Sequence, residues 1–170
     1  MGTTASQKLI IRPYTPDDVN FIIKSWLTST RFDLQITDLK ASLDIIRYES
    51  LMRPSVQNVM ARCGVLVACD PEDYSHIFGF ICGEHQEHSF VVHMVYVKQF
   101  ARKNHVATVL LNRANKYKKP VVSSWTSSII NKIEKEIGRK LCVYDHKMLE
   151  IMWGAKFEPI ARLVTEGAKE

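Results

Sequence analysis

Apolar positions change their spacing several times along the chain, and each change predicts an element. Leu9 and Ile11 alternate with Ile10 and Arg12 over Lys8–Tyr14, the two-residue period of a short strand. Thr15 then offers a cap, Pro16 suits a first helical turn, and Asp17 and Asp18 complement the helix dipole. Behind them Val19, Ile22, Ile23, Trp26 and Leu27 recur at helical spacing. A second helix is expected after Thr37, through Leu39, Leu43, Ile46 and Leu51, with Pro54 as its stop.

Gly64–Cys69 and His76–Gly83 read as strands joined by the turn Asp70-Pro71-Glu72-Asp73. Ser89–Lys98 carries apolar residues on both of its faces, as a central strand covered from both sides would. A helix is expected from near His105, with Val106, Val109, Leu110, Ala114 and Tyr117 in register. Pro120–Trp125 reads as a strand and Ile129–Ile137 as a helix ended by Gly138. A strand-like Lys140–Tyr144, an apolar Met148–Trp153 and a final Lys156–Val164 complete the chain. Helices alternating with strands after an initial helical pair predict an α/β layered domain. No repeat or Gly/Ser-rich linker divides it, so residues 1–170 are expected to form one unit.

Composition narrows this picture. At 46% hydrophobic and 24% charged, the chain is excluded from the disordered and disulfide-scaffold classes. No apolar run approaches the ~18 residues of a membrane helix, and the first residues lack the apolar centre of a signal peptide. A cytoplasmic protein without a membrane partner is expected. Cys63, Cys69, Cys82 and Cys142 form no Cys-x-x-Cys pair and read as buried, reduced thiols, so no metal site is expected. The dense run Gly83-Glu84-His85-Gln86-Glu87-His88, with His93 beyond it, reads first as a solvated hairpin turn.

Charge changes the picture more. The chain carries a net +5, yet His88–Ile133 holds 8 basic residues and no acidic one. A partner bearing phosphates follows from such a window. Within it, Val97 ends a buried strand, a polar and basic loop follows, and an apolar helix starts at Val106. Unpaired amides at a helix start, the helix dipole, and the charges of Arg102 and Lys103 together suit a pyrophosphate.

The segment Val97–Leu111 resembles motif A of the GCN5-related N-acetyltransferase superfamily. Val97, Arg102, Val106, Ala107, Leu110 and Leu111 match its pattern without a gap. Leu9-Ile10-Ile11-Arg12-Pro13, Val65-Leu66-Val67-Ala68 and Ile77-Phe78-Gly79-Phe80-Ile81 resemble its first three strands, so the likeness covers about residues 8–126. Gln99 replaces the family's proline, while Lys103 and His105 replace its two loop glycines. Those glycines admit positive φ and close backbone approach.

The resemblance implies the acyl-coenzyme A N-acyltransferase fold: a mixed, twisted, partly splayed sheet with helices on both faces, parted between its fourth and fifth strands. It implies acetyl-coenzyme A as cosubstrate, held by Arg102, Lys103, Asn104, His105, Val106 and Ala107, with strand amides near Tyr96 and Val97 polarising the carbonyl. It implies acetyl transfer to an amine, with Glu84 or His93 as general base. Tyr144 is the nearest candidate for protonating the leaving thiolate; a half-buried strand tyrosine is the other reading of it. The family's second motif has two placements, Ile129–Gly138 and Met148–Ala155. The alternative function is a non-acetylating relative of the same fold, phage-encoded and acting in the virion, as an accessory protein or on nucleic acid. The basic segment 98–119 would then track a nucleic-acid backbone.

Overall fold

The structure, a computed structural model, describes residues 9–33, 42–102 and 104–124. Strand β1 (Ile10–Pro13) leads through one 3-10 turn (Pro16–Asp18) into helix α1 (Val19–Asp33). Helix α2 (Ser42–Arg62) follows, then the strands β2 (Gly64–Cys69), β3 (Ile77–His85) and β4 (Phe90–Val97). A second 3-10 turn (Gln99–Ala101), helix α3 (Val106–Ala114) and strand β5 (Val121–Ser123) close the described part.

The five strands lie in the order β1-β2-β3-β4-β5. The first three pairings are antiparallel, and β4 with β5 is parallel, α3 being the crossover between them. The mixed sheet with helices on both faces is the architecture expected. Ile22, Ile23, Trp26 and Leu27 of α1 and Met52, Val56, Val59 and Met60 of α2 pack on one face, against Val65, Val67 and Phe80. Val106 and Leu110 of α3 cover the other face, against Ala68, Phe78, Ile81, Phe90 and Val92. Burying each such side chain contributes ~1.5–3 kcal/mol.

Three boundaries differ from expectation: α3 ends at Ala114, short of Tyr117, β3 runs past Gly83 to His85, and α2 runs through Pro54 to Arg62. Proline removes one backbone donor and crowds the preceding turn. Here Met52, Val56, Val59 and Met60 are each no more than 6% exposed, and their burial outweighs that cost. Thr15 caps the turn as expected, in a reciprocal capping box with Asp18. Thr15 donates its amide (2.7 Å) and its hydroxyl (3.0 Å) to the Asp18 carboxylate, which Arg12 also grips.

Two β-bulges shape the sheet. Cys82 faces Met94 while Gly83 faces Val92, which leaves His93 as the extra residue of β4. Ala68 faces Gly79 while Cys69 faces Ile77, which leaves Phe78 extra on β3. The β4 bulge reverses the alternation: Phe90 and Val92 face α3, whereas Met94 and Tyr96 face α1 and α2. Gly83 permits the close approach this requires, since a Cβ there would lie 2.6 Å from Val91 O.

Candidate functional site

The bulge decides where the polar chemistry collects. His93 is 3% exposed, and its Nδ1 lies 2.9 Å from Ser124 Oγ, just past β5. Its Nε2 lies 3.3 Å from Glu84 Oε1 near the end of β3. Cys63, at the junction of α2 and β2, stands across the ladder from Glu84 by the register Gly64↔Gly83. Its Sγ is 3.7 Å from Glu84 Oε2, and Arg62 Nε lies 3.9 Å from that oxygen. The Glu84 side chain is 24% exposed and that of His93 is closed off, so Glu84 is the end of the cluster that solvent reaches.

Neighbours perturb the cysteines in opposite directions. A hydrogen bond from the Cys82 thiol, together with the adjacent His93, outweighs burial and the Glu84 charge and holds Cys63 well below the usual thiol range. That same hydrogen bond and its burial push Cys82 up. Glu84 and His93, both expected as base candidates, are thus brought together. Cys63 and Ser124 complete a cluster that sequence reading missed. His85 and His88 leave it: His85 Nε2 meets the Ala114 carbonyl at 3.1 Å, and His88 stands exposed beside Glu87 at 3.5 Å.

The basic loop forms a second locus, at the far end of β4. Lys98 N–H donates to Phe78 O at 2.8 Å, which makes Gly79↔Val97 a non-hydrogen-bonded pair and Phe80↔Tyr96 a hydrogen-bonded one. The Tyr96 amide therefore faces β3, and the Val97 amide faces the β5 side. The β5 ladder covers only Phe90–Val92 of β4, and among the described residues His93–Val97 has no strand partner on that side.

His105 caps α3 in the left-handed conformation, with φ 56° and ψ 18°. It thus adopts a backbone shape that glycine takes without strain. The first intrahelical bond is Val109 N–H to His105 O, at 3.0 Å. The amides of Val106, Ala107 and Thr108 precede it and lack an intrahelical acceptor. His105, Asn104 and Ala107 are exposed, Val106 is buried, and Arg102 is exposed with its Nε on the Val97 carbonyl at 3.2 Å.

The remaining basic residues disperse. Lys98 Nζ sits over the Phe21 ring at 4.9 Å, on the α1 side. Lys119 Nζ donates to the carbonyls of Gln86 and Glu87, tying the β3–β4 turn to the α3–β5 connection. Lys103, Tyr144 and both placements of the second motif lie outside the described residues. A cleft of about 290 Å³ at the C-terminal end of α3, lined by Asn112, Asn115 and Lys118, belongs to neither locus.

No protein-family model and no curated protein matches the sequence. Solved structures match in fold. Histone acetyltransferase HPA2 and related acetyltransferase from Corynebacterium glutamicum superposes with a TM-score of 0.55 at 15% identity, over 76% of this chain and 83% of its own. A GCN5-related N-acetyltransferase from Rhodopseudomonas palustris gives 0.52 at 15% identity, over 80% and 84%. A Pyrococcus horikoshii chain described as an acetyltransferase gives 0.49 at 15% identity, and this chain spans only 43% of its length.

Proposed function

We propose that this chain, which has the fold of the GCN5-related N-acetyltransferases, moves an acetyl group from acetyl-coenzyme A to an amine. The observation that carries the reading is the loop from Val97 to Val106. His105 holds the left-handed turn of a loop glycine and leaves the first-turn amides of α3 without an intrahelical acceptor, beside Arg102 and the half of β4 that lies past the described β5 ladder. The residues fit the cosubstrate on that ground. The amides of Val106 and Ala107 with the Arg102 guanidinium would hold the pyrophosphate, and Lys103, Asn104 and His105 would line the loop. Val97 turns its amide away from β3, whereas the Tyr96 side chain packs between Phe21 and Phe80 and supports the strand from behind.

Acetyl-coenzyme A supplies an activated thioester when bound, and the chain has to free the amine. An ammonium has no lone pair, so a proton must leave before attack. Glu84 is the base that solvent reaches, and it accepts that proton on Oε1 or Oε2. His93, 3.3 Å behind it, shares the charge and is fixed in turn by Ser124. Tyr144 remains the proposed acid for the departing thiolate. Any acceptor with an unhindered amine satisfies this chemistry. Calorimetric titration with acetyl-coenzyme A tests the reading: saturable one-to-one binding is expected, and no heat at millimolar ligand overturns it.

A further inference from the structure

We propose that Cys63, Glu84 and His93 form a mononuclear site for a borderline-soft divalent cation, zinc above all. One donor atom from each residue lies within 4.8 Å of the other two. The two donors flank one carboxylate, His93 against Oε1 and Cys63 against Oε2, at spacings close to the edges of a zinc tetrahedron. With Zn–N and Zn–O bonds of ~2.0 Å and a Zn–S bond of ~2.3 Å, the N···O and S···O edges come to ~3.3 Å and ~3.5 Å. The structure has 3.3 Å for His93 Nε2 to Glu84 Oε1 and 3.7 Å for Cys63 Sγ to Glu84 Oε2.

Hydrogen-bond polarity accommodates a ligand role for His93. Ser124 Oγ lies 3.5 Å from the Val92 carbonyl, to which its hydroxyl donates. In the Nδ1–H tautomer its oxygen accepts from His93, 2.9 Å away. That tautomer turns the Nε2 lone pair toward the Glu84 carboxylate, 3.3 Å away. A cation between them satisfies both. A histidine that donates its far N–H to a fixed partner is also the usual support of a metal ligand.

The donor set names the cation class. One thiolate, one imidazole and one carboxylate suit zinc, whereas calcium and magnesium require oxygen donors. As the Zn–S bond forms, the Cys63 thiol releases its proton to solvent. Glu84, 24% exposed, marks the side from which the ion enters and on which a fourth position stays open. The site depends on the sheet and its bulge, and holds whether or not the chain transfers acetyl groups.

The test uses the full chain, with thiols reduced, and cobalt(II) followed by zinc(II). The expected result is one cobalt per chain, with a near-ultraviolet sulfur-to-cobalt band and the intense visible bands of tetrahedral cobalt, both displaced by one equivalent of zinc. Cys63→Ala should abolish the sulfur band and Cys82→Ala should keep it. Glu84→Gln and His93→Gln should each weaken cobalt binding at least tenfold. Where His93→Gln fails to fold, the other variants and the wild-type spectrum decide. A wild type without a sulfur-to-cobalt band overturns the proposal, and so does a band that survives Cys63→Ala. Coenzyme A binding, measured on the same samples, reports separately on acetyl transfer.

Discussion

Arg12 reaches from β1 to grip Asp18 with both guanidinium nitrogens, at 2.6 and 3.0 Å. The pair joins the edge strand to the start of α1, and the Asp18 side chain is only 5% exposed. Removing Arg12 leaves a buried carboxylate with only the Thr15 hydrogen bonds and no counter-charge, so Arg12→Ala should cost about 3 kcal/mol in chemical denaturation at pH 7.

The same pair sets a pH dependence. Burial alone would raise the Asp18 pKa, but hydrogen bonds from Arg12 and Thr15 outweigh it and hold the carboxyl below its ordinary value. The stability it contributes is present above the unfolded value of about 3.9 and is lost as pH falls through the lower folded value. The stability gap between wild type and Asp18→Asn should therefore be widest near neutrality and narrow in acid. A gap that stays constant down to acid unfolding removes Asp18 from the account.

Gly83→Ala should destabilise by about 1–3 kcal/mol through overpacking, because the new Cβ would lie 2.6 Å from Val91 O and 2.8 Å from Phe90 Cζ. Gly64→Ala is the control. Its Cβ would meet only Gly83 O, at 3.6 Å, an ordinary contact. Equal losses from the two substitutions would argue against the close approach as the cause.

Helix propensity alone predicts that His105→Gly weakens α3. The observed φ of 56° reverses the sign, since glycine relieves about 1 kcal/mol of left-handed strain. A melting temperature raised by several degrees is expected, with coenzyme A affinity unchanged or tighter. Loss of affinity would show that the imidazole itself contacts phosphate.

Arg102→Ala should weaken coenzyme A about tenfold, the scale of one charge-assisted hydrogen bond. Pantetheine carries no pyrophosphate, and its affinity should change far less. Parallel titrations of the two ligands separate the outcomes, and equal losses would move the phosphate site elsewhere.

Glu84→Gln keeps the shape of the side chain and removes its proton affinity. Acetyl transfer to a model amine should fall 10²–10⁴-fold, while acetyl-coenzyme A binding stays near wild type. Transfer at the wild-type rate would return the base role to another residue.

Much of the scaffold was legible, because the signals for it are local. The run Gly64–Cys69 announces a strand by its β-branched content and coincides with β2, while Val106 and Leu110 announce the buried stripe of α3. Pro54 misled because a proline's cost is visible in sequence and the packing that outweighs it is not. The cluster was legible only in half. Glu84 and His93 are close in sequence, yet Cys63 joins them through a register that begins 20 residues earlier. That register could not be derived, because each bulge shifts the count by one and no residue type marks a bulge unambiguously. Lys98 and Lys119 counted toward a phosphate-binding field in sequence, and tertiary contacts direct one to an aromatic ring and the other to turn carbonyls.

The extra residue at His93 acts as a change of phase in the strand's repeat. Up to Val92 the even-numbered side chains point at α3, and from Met94 onward the even-numbered ones point away from it. Deleting any one residue between Phe90 and His93 would let the β3–β4 ladder run without interruption, with better local hydrogen bonding than the native chain has. It would also bring the two halves of β4 into one phase and turn the side chains of one half onto the wrong face. The strand would gain regularity while the sheet lost its fit to both helical layers. In this stretch the chain tolerates exchanges of residue type far better than a change in their number, and the imidazole keeps its place because the count includes it.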